Sequence, residues 1–263
     1  MTCNSLTVRR FAGQAVVCFL MLALAACATT NGEPPEPDPW ENFNRPVHEF
    51  NMTADRYVLR PVARGYDRVT PGPAQSGVRN FFRNLGEPLT AVNGMLQGEV
   101  VDSGRSTVRF VINTTVGVLG LFDVAGEIGL ERNRRDFGQT LGKWGVASGP
   151  YVVLPFLGPS TVRDGSGRGV DWYIDPYNYF VARNLDDVAL RNQMLVLDVV
   201  QSRAALLAAD RMLEQAFDPY TFLRDSYLQQ RRAMIRNGDA EDEEDIFRED
   251  FDDLDDLDDY DDF

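Results

Sequence analysis

Helical periodicity is the sequence feature that most constrains the fold. Between residues 38 and 238, apolar side chains recur at steps of three and four residues, which places them on one face of a helix. One such face consists of Val78, Phe81, Phe82 and Leu85. A further run between residues 185 and 213 predicts one long helix, whereas no alternating pattern of useful length predicts a strand. The sequence therefore predicts an all-α fold.

Capping residues mark several of the predicted helix ends. Asp38 supplies a carboxylate at an N-cap, and Pro39 fits the first helical position that follows. Asp218 and Pro219 repeat this arrangement before the last predicted helix. Gly98 is placed to end a helix, because glycine tolerates the left-handed backbone of a C-terminal cap.

Two apolar segments interrupt the amphipathic pattern. The first, residues 110–122, carries no charge and contains two glycines. It is too short to span a bilayer as a helix. The pattern fits a buried, re-entrant or interfacial element, and it fits a plain core helix equally well.

The second segment, residues 137–169, contains eight glycines and three prolines. Within it, residues 151–157 are apolar and bounded by helix breakers, which disfavours a helix. Long loops without regular structure are usually functional or disordered, and this one is too apolar for disorder. The segment is therefore predicted to be an irregular loop with a function.

The first 26 residues are typical of an export signal. Arg9 and Arg10 form a positively charged start, and the apolar stretch behind them is too short for a permanent membrane span. The segment closes with the arrangement of a bacterial lipobox, which here is Leu24, Ala25, Ala26 and Cys27. We therefore predict that Cys27 becomes the lipidated first residue of the mature protein.

The residues that follow Cys27 bear on where the anchor sits. An Asp directly after the lipidated cysteine resembles the inner-membrane retention signal of enteric bacteria, so Ala28 favours the outer membrane. Residues 27–37 are rich in proline and predict a stiff polar tether.

Cys3 and Cys18 leave with the signal peptide, so the mature protein keeps one cysteine and no internal disulfide is expected.

The net charge of −14 is concentrated at the C-terminus. Residues 239–263 hold 16 acidic residues and one basic residue, whereas the rest of the chain holds 24 acidic and 25 basic residues. This acidic tail is predicted to be disordered, either as a solvated end or as a docking segment for a basic partner. The body lacks the basic patch expected of a nucleic-acid-binding protein.

The residues needed for common catalytic and metal sites are missing from the sequence. His48 is the only histidine, and its position on a predicted helix favours a structural role over that of a general base. Clustered histidines or cysteines for a metal are absent, and no cofactor is expected. Residues 165–169 resemble a phosphate-binding loop superficially, but they lack its Lys-Ser/Thr pair and favour a hinge or turn. Catalysis is therefore not expected.

Several motifs stand in a fixed order along the body of the chain. The opening motif includes Asp38, Pro39, Phe43, Asn44 and Arg45. Further motifs follow at residues 57–63, 84–88, 93–98, 137–146, 149–155, 218–220 and 227–229. Together these motifs resemble those of the MlaA (VacJ) family of outer-membrane lipoproteins. The resemblance covers residues 38–238 and does not extend to the acidic tail.

The resemblance implies a ring-like arrangement of amphipathic helices, embedded in the inner leaflet of the outer membrane around a channel. Members of the family associate with trimeric porins, and misplaced phospholipids pass through the channel to a soluble periplasmic shuttle. We therefore expect phospholipid transport that maintains the lipid asymmetry of the outer membrane. The alternatives are a non-transporting lipoprotein that scaffolds porins or envelope proteins, and a periplasmic hydrolase that depends on His48.

Within this family framework, residues 142–155 are expected to line the channel, with two glycines allowing the loop to bend. The positions assigned to this loop are Gly142, Gly145, Val146, Gly149, Pro150, Tyr151, Val152, Leu154 and Pro155. The alternative is that these glycines only make tight turns.

Overall fold

The structure, a computed structural model, describes residues 38–178 and 187–236. The predicted signal peptide, Cys27, the tether and the acidic tail lie outside the described residues. The described helices are α1 (Glu41–Ala54), α2 (Arg60–Val69), α3 (Gly72–Leu85), α4 (Glu87–Leu96), α5 (Val100–Thr115), α6 (Val124–Glu127), α7 (Phe137–Lys143), α8 (Val162–Ile174), α9 (Val188–Ala205), α10 (Asp210–Gln215) and α11 (Pro219–Arg236). A π-helical turn, Asp55–Leu59, joins α1 to α2. The prediction of a mostly helical fold is confirmed.

The helix ends follow the predicted capping residues with one displacement. Helix α11 begins at Pro219, and the Asp218 carboxylate accepts a hydrogen bond from the backbone N–H of Tyr220 at 3.1 Å. Gly98 follows the end of α4 with a φ of +81°. Helix α1, however, begins at Glu41 rather than at Pro39, because the Asp38 carboxylate bonds the Trp40 N–H in the turn before it.

The expectation of no strand and an irregular loop at residues 151–157 differs from the structure. Strands β1 (Tyr151–Leu154) and β2 (Gly158–Thr161) form an antiparallel hairpin, with Tyr151 paired to Thr161 and Leu154 paired to Gly158. The turn between them places Phe156 at φ +61° and Gly158 at φ +75°. Sequence alternation does not show this hairpin because each strand has only four residues and β2 is largely polar.

The prediction of a hinge or turn at residues 165–169 is wrong, since these residues lie inside helix α8. Its N-cap is Thr161, whose side chain accepts a hydrogen bond from the Asp164 N–H. A Cβ atom at position 167 would lie 2.4 Å from the backbone nitrogen of Gly138. The glycines here serve a close contact between α7 and α8 rather than flexibility.

The single long helix expected between residues 185 and 213 is also divided in the structure. Helix α9 ends at Ala205, and α10 starts at Asp210 after a stretch of turns. The Arg203 guanidinium contacts both Asp55 and Asp210, at 2.5 and 2.8 Å. These two ion pairs hold the break between the helices against the π-helical turn.

Residues 110–122 do not form a core helix. Their first part completes α5, and the chain then turns through Val118 and Leu119, which have φ values of +51° and +58°. Most apolar side chains beyond the helix end are exposed, namely Val116, Val118, Leu119, Leu121 and Phe122. Within the described residues, no helix is both long and apolar enough to cross a membrane.

Candidate functional site

The interior and the surface of the described chain have an inverted composition. Exposed large apolar side chains far outnumber the buried apolar residues of any size, which are Ala63, Ala125, Leu141, Tyr151, Val153 and Tyr220. Most other buried residues are polar or charged, and Glu87 is only 1% exposed. Soluble proteins rarely bury glutamate or expose apolar patches of this extent. An apolar surface around a polar interior suits surroundings of hydrocarbon.

Helix α5 shows this inversion within one element. Its buried stripe is formed by Ser103, Ser106, Arg109 and Asn113, spaced by three or four residues. Its exposed positions include Val101, Val108 and Val111. The helix is amphipathic, as the sequence predicts, but its polar stripe is the one that faces the protein.

The buried Arg109 joins α5 to its neighbours through ion pairs. Its guanidinium lies 3.4 Å from Glu87 of α4 and 2.9 Å from Asp123, the N-cap residue of α6. Asn113 donates a second hydrogen bond to Asp123 at 2.8 Å. Burial tends to raise the pKa of Asp123, but the bonds from Asn113 and Arg109 outweigh it and lower that pKa.

The hairpin is fixed to helix α1 by two asparagines. Asn44, which is fully buried, donates to the Tyr151 carbonyl at 3.0 Å and accepts from the Val153 N–H at 2.8 Å. Two turns along the same helix, Asn51 donates to the Leu154 carbonyl at 3.0 Å and accepts from the Phe156 N–H at 2.8 Å. Each amide therefore satisfies one donor and one acceptor of the hairpin backbone.

The remaining residues of the opening motif divide between the interior and the surface. The hydroxyl of the buried Tyr220 donates a hydrogen bond to the Asp38 carboxylate. The pKa of Tyr220 is raised, mainly by burial and next by this hydrogen bond. Arg45 donates to Asp218 at 2.7 and 3.2 Å, and this pair lowers the Asp218 pKa well below its usual range. Pro39 and Phe43 are exposed. The motif thus joins α1 to the start of α11.

The residues predicted to line a channel do not all share one surface. Gly142 lies in α7, where a Cβ would approach Ile235 to 2.9 Å, and Tyr151 is buried in the hairpin cluster. Gly145 and Gly149 have φ values of +84° and +67°, so the backbone uses their freedom there. The others are half-buried or exposed, namely Val146, Pro150, Val152, Leu154 and Pro155. Their lining of a channel stays a prediction.

A buried charge cluster, here called the Arg231 junction, ties α11 to α7 and α8. The Arg231 guanidinium lies 2.6 Å from Asp136 and 3.0 Å from Asp164, and the Tyr227 hydroxyl donates to Asp164 at 2.8 Å. Burial would raise the pKa of both carboxyls, but Arg231 outweighs it and lowers them. Burial and the Asp164 charge raise the pKa of Tyr227 to about 12. Sequence reasoning missed this cluster because Arg231 lies 67 residues from Asp164 and 95 residues from Asp136 along the chain.

An amphipathic cleft of about 380 Å³ lies between the π-helical turn and the last two helices. Its lining combines apolar and charged side chains, which are Met52, Arg56, Arg60, Leu213, Glu214 and Pro219. Arg60 pairs with Glu214 across it at 2.6 Å. Such a lining matches an amphiphile better than a purely polar or purely apolar ligand.

His48 is half-buried, and its ring packs edge-on against Tyr220 at 5.6 Å. Burial lowers its pKa below the usual value. The described parts of the chain contain no group of three or more His, Cys, Asp or Glu residues arranged to hold a metal ion. The packing of His48 is that of a structural side chain.

Comparisons with known proteins agree with one another. The sequence profile described as MlaA lipoprotein matches residues 36–234. The intermembrane phospholipid transport system lipoprotein MlaA of Escherichia coli (strain K12) is 37% identical over 220 residues, which cover 82% of this chain and 85% of that protein. The protein of the same description from Haemophilus influenzae is 35% identical over 225 residues, covering 82% of this chain and 88% of the relative.

A solved structure supports the same assignment. It comes from work on the structural basis for maintenance of bacterial outer membrane lipid asymmetry, and it superimposes with a TM-score of 0.66 at 36% sequence identity. The match covers 76% of this chain and all of the solved chain. Together with the profile and the two relatives, it shows that this chain belongs to the MlaA lipoprotein family.

Proposed function

We propose that the protein removes mislocalised phospholipids from the outer leaflet of the outer membrane through an amphipathic channel. It passes them to a soluble periplasmic carrier and so maintains the lipid asymmetry of the membrane. Two relatives are described as intermembrane phospholipid transport lipoproteins, and the similar solved structure concerns outer-membrane lipid asymmetry. These descriptions support a role in phospholipid transport and in outer-membrane lipid asymmetry.

The inverted composition is the observation that carries the proposal. A phospholipid that leaves a bilayer exposes about 30 methylene groups to water, at a cost on the order of 20 kcal/mol. A path is therefore useful only if the tails stay among apolar groups while the headgroup meets polar ones. The exposed apolar side chains supply the surface for the tails, and accessible polar groups such as Arg56 in the amphipathic cleft supply contacts for the headgroup.

The proposal includes the position of the protein in the envelope. A multiply acylated Cys27 would hold the chain at the outer membrane, with its helices arranged as a ring in the inner leaflet beside a porin trimer. Residues 142–155 are proposed to border the channel, and the positive φ values of Gly145 and Gly149 are compatible with a bend there. The amphipathic cleft beside Arg56 and Arg60 is a second polar and apolar contact for a lipid in transit.

A surface-phospholipid assay in the native host tests the proposal. The gene is deleted, and phosphatidylethanolamine in the outer leaflet is labelled with an amine reagent that does not cross the membrane. We expect the label to rise on deletion, to return to the wild-type level with the wild-type gene, and to stay high with Cys27→Ala expressed at the same amount.

The outcomes separate transport from the scaffolding alternative. An unchanged label on deletion, together with normal porin trimers, would contradict transport. A loss of porin trimers without surface phospholipid would instead indicate a scaffold. A His48→Ala gene that restores the wild-type label would argue against the hydrolase alternative.

A further inference from the structure

Two arginines of helix α3 form no ion pair with a carboxylate among the described residues. Arg79 and Arg83 are one helical turn apart, on the same side of the helix. The only side-chain hydrogen bond described for the pair joins Arg79 to the Ser76 hydroxyl at 3.2 Å. The Nε atom of Arg79 is buried and has no partner among the described residues. An external ligand cannot reach this buried atom, so it would have to meet the terminal guanidinium nitrogens of Arg79 and the exposed side chain of Arg83.

A third guanidinium lies at the end of the same helix. The Nη2 atom of Arg132 is 3.5 Å from the Arg83 carbonyl oxygen, and its Nε atom pairs with Glu87 at 2.9 Å. Burial and the positive charges of Arg132 and Arg79 lower the pKa of Arg83. The charge of Asp123 opposes this lowering only in part, and both nearby carboxylates already form ion pairs, Glu87 with Arg109 and Arg132 and Asp123 with Arg109. We call Arg79, Arg83 and Arg132 the arginine patch.

An exposed apolar segment contacts helix α3 through Asn80 and Asn84, which directly follow Arg79 and Arg83 in the sequence. This segment, residues 116–122, is here called the apolar tip. It contacts α3 through Asn80, which donates to the Leu121 carbonyl at 3.3 Å, and through Gly77, whose Cβ position is 3.7 Å from the same oxygen. Helix α3 thus presents guanidinium groups next to hydrocarbon.

The apolar tip is held in shape by its backbone rather than by its side chains. The N–H groups of Leu119 and Gly120 donate to the carbonyls of Thr114 and Asn113, at 3.0 and 2.7 Å. A Cβ at position 120 would lie 2.6 Å from the Cβ of Asn84, so only glycine fits. With the backbone bonded in this way, the Leu119 side chain remains 64% exposed.

We propose that the arginine patch binds the phosphodiester of a membrane phospholipid whose acyl chains lie along the apolar tip. Guanidinium groups recognise phosphate through paired, charge-assisted hydrogen bonds. The adjoining hydrocarbon surface selects an amphiphile over a free anion, because only an amphiphile covers both. The inference rests on the proposed function and assigns a headgroup site within it.

The test compares two double variants that remove the same charge. Arg79→Gln/Arg83→Gln removes two of the three guanidinium groups of the patch and keeps Arg132 in its ion pair with Glu87. Arg64→Gln/Arg68→Gln removes two exposed arginines one turn apart on α2, neither of which has a described ion pair or hydrogen bond. Full-length lipidated protein in a phosphate-free amphipol is titrated with dihexanoyl phosphatidylethanolamine and followed by ³¹P NMR.

We expect saturable binding to the wild-type protein. Loss of two charge-assisted contacts in Arg79→Gln/Arg83→Gln is expected to weaken it about tenfold. The Arg64→Gln/Arg68→Gln control is expected to stay within about twofold of wild type, because screened surface charges contribute little. Equal losses in both double variants would overturn the site in favour of general charge attraction.

Two further measurements address the apolar half of the site. Inorganic phosphate is expected to bind far more weakly than the short-chain lipid, and equally tight binding would reveal a free-phosphate site instead. Leu119→Asn is expected to weaken lipid binding by about threefold without unfolding the segment, since asparagine tolerates the left-handed backbone. Unchanged lipid binding by this variant would contradict the role of the apolar tip.

Failure of the site and failure of the proposed function give different results. If deletion raises surface phospholipid but the Arg79→Gln/Arg83→Gln gene fully restores the wild-type level, transport stands and this site is not part of it. If deletion itself leaves surface phospholipid unchanged, the proposed function fails whatever the binding data show.

Discussion

The two faces of helix α5 differ in what holds them in place. The buried face carries serine, arginine and asparagine side chains that meet directed partners, among them the Ala91 carbonyl, Glu87 and Asp123. The exposed face carries valines at positions 101, 108 and 111. Apolar burial inside the protein is therefore a minor part of this fold, and hydrogen bonds and ion pairs determine its inner contacts.

Such an arrangement has a physical reason in hydrocarbon surroundings. In a bilayer, helices gain no hydrophobic stabilisation from packing apolar faces together, because the lipid tails are as apolar as the side chains. Small and polar residues then make the helix contacts, as where Ser103 lies close to Gly94 of α4. In water alone, the exposed valines would instead favour aggregation.

The largest expected effect is on the buried face. Arg109→Met leaves Asp123 without its ion pair and removes one of two from Glu87, so we expect the free energy of unfolding in detergent to fall by about 3–5 kcal/mol. Arg105→Met is the matched control one turn earlier, since Arg105 is more exposed and, among the described residues, pairs only with Asp102. The control is expected to lose less than about 1 kcal/mol. Denaturant unfolding followed by circular dichroism measures both.

The pH dependence of the Arg109→Met effect provides an independent check. The Asp123 pKa is lowered in the folded protein, so its contribution to stability is present above about pH 4 and is lost as the pH falls through the lowered pKa. The difference in the free energy of unfolding between wild type and Arg109→Met should therefore narrow as the pH falls from 5 to 3. A difference that stays constant over this range would mean that lost packing dominates.

An intermediate effect is expected where α4 and α5 cross. A Cβ at Gly94 would lie only 3.2 Å from the Ser103 Cβ, and the Ser103 hydroxyl donates to the Ala91 carbonyl at 2.7 Å. Ser103→Val removes the bond and crowds the crossing, so we expect a loss of about 1–3 kcal/mol. Ser103→Ala, which removes the hydroxyl without adding bulk, should lose less. Equal losses would assign the whole effect to the hydrogen bond.

The smallest effect on stability is expected on the exposed face, where membrane binding should change instead. Val111→Asn should alter the free energy of unfolding by less than about 0.5 kcal/mol. In a Cys27→Ala background without the predicted lipid anchor, it should reduce binding to phospholipid vesicles by about fivefold. The control is Thr107→Asn, a polar exchange at an exposed position one turn away. A large loss of stability in Val111→Asn would contradict the expectation that the exposed face of helix α5 contributes little to folding stability.

Much of the helical architecture was predictable, because periodicity and capping residues are local signals. Pro219 and Gly98 lie where the sequence places a helix start and a helix end. Periodicity shows which residues share a face but not which way the face points, so the inward polar stripe of α5 was not predictable. Its direction depends on partners distant in sequence, such as Glu87.

The features that the sequence does not predict have one cause in common, which is their dependence on tertiary contacts. Residues 165–169 look like a flexible turn because the sequence does not reveal that a second backbone lies against them. The Arg231 junction and the arginine patch are built from ordinary arginines and aspartates whose meeting depends on tertiary structure. The sequence does not predict the hairpin, because Asn44 and Asn51 hold its backbone by hydrogen bonds and its strands show no alternation of apolar and polar residues.

Gly138 sets the geometry of the Arg231 junction by what it lacks. A Cβ there would lie 2.8 Å from both the Arg231 Nη2 atom and an Asp164 oxygen, and 3.1 Å from an Asp136 oxygen. A single methyl group there would thus occupy the space in which the Arg231 guanidinium meets the carboxylates of Asp136 and Asp164. The ion pairs that anchor the last helix to the middle of the chain therefore close over a position without a Cβ, and a methyl group there would require their side-chain ends to shift.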